Sequence, residues 1–252
     1  MRSFLPLLAA LATILVGIVL VPDRAFAITT AEILAKVDKN LTYDTRESTV
    51  TMTVTKNGRT TVYKMHSYGK GSTTAAVEYL EPARDKGTKM LRIADTLKMY
   101  MPAIEKTQTI SGHMLRQSMM GSDLSYEDMM EASSWQKMYT ATLAGEETVN
   151  GMKTWKLEMK ANSNEVSYPR RVAWVDQVNY IPVKQELYAL SGTLLKTWTM
   201  SDPKAIAGRQ FPMKMVVEDK VQTGSSTTLV FESIQFSIPL ADEIFSDRWL
   251  ER

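Results

Sequence analysis

Thr49-Val50-Thr51-Met52-Thr53-Val54-Thr55-Lys56-Asn57-Gly58-Arg59-Thr60-Thr61-Val62-Tyr63-Lys64-Met65-His66-Ser67-Tyr68 is the stretch that decides the fold. Val50, Met52 and Val54 alternate with threonines, the period of a strand with one buried face. Asn57-Gly58 supplies the two residues that tolerate positive φ in a two-residue hairpin turn, and residues 62–68 return. The reading is a β-hairpin.

Downstream, strand-like runs continue at 74–80, 90–94, 97–101, 137–148, 153–160, 171–175, 183–189, 194–200, 213–221 and 227–236. Val230 and Ile234 are expected inside the last of these. Turn-forming pairs separate many of the runs, including Asp95-Thr96, Asn150-Gly151, Ser191-Gly192 and Gly224-Ser225. About a dozen strands in one antiparallel meander result, without linker or repeat.

Upstream, Thr29-Thr30-Ala31-Glu32 matches a capping box, and Ile33, Leu34, Val37 and Leu41 follow at helical spacing, so 30–42 reads as an amphipathic helix. The meander breaks once, between His113 and Ser133, where Met114, Leu115, Met119, Met120, Met129 and Met130 replace β-branched residues with helix formers. Gly121-Ser122-Asp123 splits this insert, and Ser125-Tyr126-Glu127-Asp128 restarts it with a second capping pattern. A last helical turn or two is expected over 241–250.

The first 27 residues read differently. Arg2, an apolar run over 5–21 and Ala25-Phe26-Ala27 have the order of a cleavable secretory signal ending at Ala27. The competing reading is an uncleaved anchor, since 17 apolar residues can just cross a bilayer. Cleavage leaves residues 28–252 as a single domain, with 28 basic and 27 acidic residues, a balance that gives no electrostatic case for nucleic acid. Without cysteine the exported chain forms no disulfide and carries no lipidated N-terminal cysteine, so its stability must come from a buried core. The expected location is the periplasm.

The motifs argue against an enzyme. There is no cysteine nucleophile, no G-x-S-x-G, no phosphate-binding glycine loop, and His66 and His113 lack metal-ligand spacing. No cofactor or metal is expected. Asp123, Glu127 and Asp128 form an acidic cluster that could hold a hard cation, although acids at a helix start are already explained by capping and the helix dipole. Nine of the 17 methionines fall between Met90 and Met138, which suits either a surface accepting varied apolar partners or an irregular core. Arg84, in the polar link 81–87, belongs either to a solvated turn or to the mouth or lid of a cavity, where its five donors would be useful.

Three stretches carry a resemblance: Tyr79-Leu80-Glu81-Pro82-Ala83-Arg84-Asp85-Lys86-Gly87-Thr88-Lys89-Met90-Leu91, Met99-Tyr100-Met101-Pro102 and Met119-Met120-Gly121-Ser122-Asp123-Leu124-Ser125-Tyr126-Glu127-Asp128. With Trp174-Val175-Asp176, Tyr180-Ile181-Pro182-Val183-Lys184 and Ile244-Phe245-Ser246-Asp247-Arg248-Trp249-Leu250, they resemble the outer-membrane lipoprotein-sorting protein family of the LolA/LolB-like superfamily. The resemblance implies a mainly β (α+β) fold: a half-open antiparallel β-barrel of about eleven strands, with an N-terminal helix and a mid-chain helical lid over a hydrophobic cavity. It implies a periplasmic carrier of lipid or lipoprotein acyl chains. Ligand contacts are expected from Met90, Leu91, Met99, Met101, Met114, Leu115, Met119 and Met120. Expected partners are lipid or acylated lipoprotein, with transient membrane contact. The alternative role is an accessory or sensor that docks on an inner-membrane RND or ABC exporter.

Overall fold

The computed structural model describes residues 28–131, 134–222 and 224–252. The expected signal segment therefore lies outside the described residues. Among them, no helix is long and apolar enough to cross a membrane.

The first element of the described residues is α1 (Thr30–Leu41). Thr29 caps it, accepting from the Glu32 N–H, while the Glu32 carboxylate accepts from the Thr29 N–H at 2.8 Å. Ile33, Leu34 and Val37 form its buried stripe. Each such side chain stabilises docking by about 1.5–3 kcal/mol.

Six strands follow: β1 (Thr45–Lys56), β2 (Arg59–Lys70), β3 (Thr74–Glu81), β4 (Lys89–Ile93), β5 (Thr96–Met101) and β6 (Lys106–Ile110). After the mid-chain insert come β7 (Tyr139–Val149), β8 (Met152–Ala161), β9 (Arg170–Asp176), β10 (Pro182–Tyr188), β11 (Leu194–Ile206), β12 (Arg209–Asp219) and β13 (Ser225–Phe236). The hairpin read from the sequence is β1–β2, with Lys56 opposite Arg59 and positive φ at Asn57 and Gly58.

All thirteen strands form one open antiparallel sheet, in the order β6-β5-β4-β3-β2-β1-β13-β12-β11-β10-β9-β8-β7. The count exceeds both the eleven of the resemblance and the dozen read from the runs. The missed strand is β6: Lys106, Thr107, Gln108 and Thr109 are all exposed, so it carries no alternating apolar signal.

This order dictates the path of the insert. The two meanders β1–β6 and β7–β13 join along β1 and β13, so β6 ends at one edge of the sheet and β7 begins at the other. The connection between them must cross the sheet. It is built of two short 3-10 turns (Gly112–Arg116 and Met119–Gly121), then α2 (Tyr126–Met130) and α3 (Trp135–Met138).

The alternation of β9 places this crossing. Arg171, Ala173 and Val175 share one face. Arg171 pairs with Glu131 of the crossing, and Ala173 and Val175 pack in the α1 cluster with Trp135. The crossing and α1 therefore cover the same, inner, face. The outer face is closed at β3–β4 by α4 (Asp247–Leu250), whose Leu250 packs on Ala76 and Leu91.

Candidate functional site

The inner face of β1–β5 can be read row by row across the register. Met52 stands opposite Tyr63. The next row is Val50, Met65 and Tyr79, and the next is Ser48, Ser67, Val77 and Met90. The last is Arg46, Gly69, Ala75 and Arg92. Alternation puts all of these on one side of the sheet, so the face grades from apolar to cationic along the strands.

Over it lies the crossing, with Met119, Leu124 and Tyr126 buried against Val50, Met65 and Met90 in one apolar cluster. Between the two remains a hollow of about 290 Å³. Its walls include Val50, Met65, Tyr79, Met90 and Phe231 from the sheet, Met119, Leu124 and Met129 from the crossing, and Arg46, Ser67, Arg92, Asp128 and Glu131 as the polar part. Gly71 and Ser72, both exposed, line it at the β2–β3 turn.

The crossing is pinned by polar bonds that the sequence does not advertise. Asp123 is buried, and its carboxylate accepts from the Thr227 hydroxyl at 2.7 Å, from Ser225 and from the Asp219 N–H at 3.2 Å. Asp128 caps α2 by accepting from the Ser125 N–H at 2.7 Å, and also accepts from the Tyr168 hydroxyl and from Lys196. Burial, then the charge of Asp128, push the Tyr168 phenol far above its ordinary range. Glu131 pairs with Arg171, which also donates to Gln185 at 3.0 Å and lies over Trp135 and Tyr139. Burial holds the Glu131 carboxyl above the usual carboxylate range despite Arg171. The Tyr139 phenol is pushed up to about 12, chiefly by burial. From β4, Arg92 donates to the Met129 carbonyl at 3.0 Å.

Two of the three acids of the cluster, Asp123 and Asp128, are thus engaged. Asp123 is held by β12 and β13, and Asp128 by Lys196 and Tyr168. Among the described residues no group of three or more potential metal ligands gathers.

Of the expected contact residues, Met90 and Met119 line the hollow. Met99 is buried in the same cluster, where its sulfur accepts from the Tyr126 hydroxyl at 3.6 Å, and Met101, Met114, Leu115 and Met120 pack against it. Leu91 points the other way, onto Leu250 beneath α4. Arg84 is two-thirds exposed and pairs with Asp85. It also donates to the Tyr63 hydroxyl at 3.4 Å, which in turn donates to the Met120 carbonyl at 3.1 Å. A chain of bonds therefore runs from the 81–87 link to the crossing. His66 lies on the outer face between Tyr68 and Glu47.

Sequence reasoning missed Arg46, Arg92, Arg171 and Lys196. For Arg92 a signal existed, because it stands two residues from Met90 on a strand and so shares its face. For Arg171 and Lys196 no local signal existed, since their partners are 40 and 68 residues away.

Comparisons place this architecture. The model of a family described as "-like: Uncharacterized protein" matches residues 71–252. No curated protein matches the chain. Among solved structures, a DUF1329 family protein from Desulfovibrio piger superposes with a TM-score of 0.80 at 25% identity, over 87% of this chain and 96% of that one. A LolA superfamily protein from Nitrosomonas europaea gives 0.74 at 25% identity, over 89% and 100%. A candidate outer-membrane lipoprotein-sorting protein domain from Vibrio parahaemolyticus gives 0.76 at 24% identity, over 87% and 97%. The chain belongs to the family that the matching model describes, and it is similar in structure to the LolA superfamily protein.

Proposed function

We propose that this protein is a periplasmic carrier that shelters lipid or lipoprotein acyl chains between the inner face of its sheet and the mid-chain crossing. In this reading the segment through Ala27 is a cleaved export signal and residues 28–252 are one lipid-binding domain. The observation that carries it is the crossing itself: a methionine-rich strap, anchored at both edges of an open sheet, over a hollow walled by Met90 and Met119.

The physics of the cargo fits such a device. Burying an acyl chain gains about 0.8 kcal/mol per methylene, so a 16-carbon chain resists leaving a membrane by roughly 12 kcal/mol and needs an apolar shelter in transit. Ligand pockets usually hold about 300–1,000 Å³. At about 290 Å³ the hollow is below that range, so loading requires the crossing to lift and exchange contacts with the sheet for contacts with the chain. Unbranched methionines suit both states, because they repack at small cost. Met99, Met101, Met114, Leu115 and Met120 extend the contact surface, and Arg84 steadies the crossing through Tyr63. Leu91, facing α4, is not part of it. No catalytic step is assigned.

The test is native mass spectrometry of the mature protein for co-purified lipid, with titration of a fluorescent fatty acid displaced by phospholipid or an acylated peptide. Saturable, displaceable binding supports the carrier. Folded protein that comes out empty and binds nothing overturns it.

A further inference from the structure

The register sets two arginines three strands apart in one row, flanked by Phe236 on β13 and Leu97 on β5. Arg46 on β1 stands opposite Gly69, Gly69 opposite Ala75, and Ala75 opposite Arg92 on β4. Two small residues therefore separate two guanidiniums on the inner face, at the polar end of the hollow beside the exposed turn at Gly71 and Ser72.

Neither arginine forms a salt bridge among the described residues. Arg46 lies over the Tyr43 ring and donates to Ser67 at 3.4 Å, while its Nε is buried without a partner. Arg92 is buried and donates only to two carbonyls, those of Ala94 and Met129. Burial lowers the pKa of its guanidinium, with Asp95 opposing from beyond ion-pair distance. Two carboxylates also line the hollow, Asp128 and Glu131, but each is committed to a cation of its own, Lys196 or Arg171. With Lys196 and Arg171 counted behind the wall, four cations therefore face two carboxylates, and Arg46 and Arg92 are the two left without an anion. One row behind Arg46, opposite Ser67, the Ser48 hydroxyl is also buried without a partner. A buried guanidinium without an anion, and buried donors without acceptors, are unfavourable arrangements that a ligand's anionic oxygens relieve.

We infer that the hollow selects an anionic amphiphile, whose phosphate or carboxylate head group is bound by Arg46 and Arg92 while its acyl chain lies along Val50, Met65, Met90 and Met119. The inference rests on the carrier reading and adds the chemistry of the head. Tyr43 fills the space over Gly69, its hydroxyl 2.6 Å from where a Cβ would stand, so the two guanidiniums flank a phenol, and the rows behind them become progressively apolar, in the order that such a molecule presents its own parts.

The experiment compares two lipids with identical acyl chains, phosphatidylglycerol and the uncharged diacylglycerol, by displacement of a fluorescent diacylglycerol from the mature protein. A charge-assisted contact of this kind should favour phosphatidylglycerol by on the order of tenfold to a hundredfold. Arg46→Gln should lower affinity for phosphatidylglycerol several-fold more than for diacylglycerol, and Arg46→Lys should recover part of the loss. Equal binding of the two lipids by the parent protein overturns the head-group inference and leaves the carrier reading standing. Binding of neither overturns both. Displacement by inorganic phosphate at the concentration of phosphatidylglycerol overturns the amphiphile in favour of a simple anion site. Because the parent comparison decides by itself, the test survives a variant that fails to fold.

Discussion

Asp123 and Thr227 bond each other twice: the Asp123 N–H donates to the Thr227 hydroxyl at 2.8 Å, and that hydroxyl donates to the Asp123 carboxylate at 2.7 Å. Asp123 belongs to the crossing and Thr227 to β13, 104 residues on, and Thr227 is fully buried. This is the point where the crossing is tied to the middle of the sheet.

Thr227→Val keeps the shape and removes both bonds, leaving a buried carboxylate with Ser225 and the Asp219 N–H alone. The expected loss is about 1–3 kcal/mol. Hydrogen exchange should locate it: amides of 118–130 should lose more protection than those of β1 and β2. Uniform loss across the sheet would mean that the pair supports the whole fold rather than the crossing.

The degree to which this was legible in the chain follows from the range of each signal. The α1 capping box and the Asn57-Gly58 hairpin are local, and both appear as read. The crossing was legible as a break in β pattern, but its direction over the sheet was not, because that depends on the pairing of β1 with β13. Val230 illustrates a subtler limit. Between the pairs Val50–Phe231 and Thr49–Ser233, Glu232 is an extra residue, so the inward face shifts from Leu229 and Phe231 to Ile234 and Phe236. Val230 is left 39% exposed. A bulge of one residue reverses the reading of every later position, and nothing in the composition announces it. Buried Lys196 and Arg171 escaped for a similar reason: from sequence alone, a charge on a strand is indistinguishable from a solvated one.

The Glu131–Arg171 pair gives a pH dependence. Arg171 is buried and the Glu131 side chain keeps 19% exposure. Burial raises the carboxyl's pKa in the folded protein from 4.5. Stability from a raised carboxyl is full below the unfolded value and is lost as pH rises through the folded one. Glu131→Gln, which keeps an acceptor for Arg171 but cannot ionise, should therefore match the parent below pH 4.5 and exceed it in denaturation midpoint at neutral pH. Arg171→Leu should cost on the order of 3 kcal/mol at neutral pH, less on acidification, because it leaves the carboxylate without a counter-charge. A Glu131→Gln protein less stable than the parent at pH 7 would mean that the ion pair outweighs burial.

Export makes a simpler demand. Cleavage after Ala27 predicts a mature N-terminus of Ile28-Thr29-Thr30 and recovery in the osmotic-shock fraction, as N-terminal sequencing would read. An intact Met1 in the membrane fraction would instead identify the apolar run as an anchor.

The last prediction separates a strap from a core. Met119 is buried in the cluster shared with the sheet, and Met120 only packs against its edge, with φ 52° and its carbonyl bound to Tyr63. Ile234 and Phe236 occupy the same cluster from within β13, away from the walls of the hollow. Polar replacement of Met119 and Met120 together, for example Met119→Gln with Met120→Gln, removes contacts that the crossing must break in any case when cargo enters. It should weaken lipid binding by roughly tenfold or more while costing only about 1–2 kcal/mol of stability, since flexible side chains at a mobile interface repack. Replacing Ile234→Ala and Phe236→Ala should reverse the balance, because each opens a cavity between strands that have nowhere to collapse, at about 2–5 kcal/mol apiece. Lipid affinity and the urea midpoint measured on both pairs decide the matter. If the methionine pair unfolds the protein as severely as the strand pair, and its folded fraction binds lipid as the parent does, then Met119 and Met120 are ordinary core and loading does not proceed by lifting the crossing.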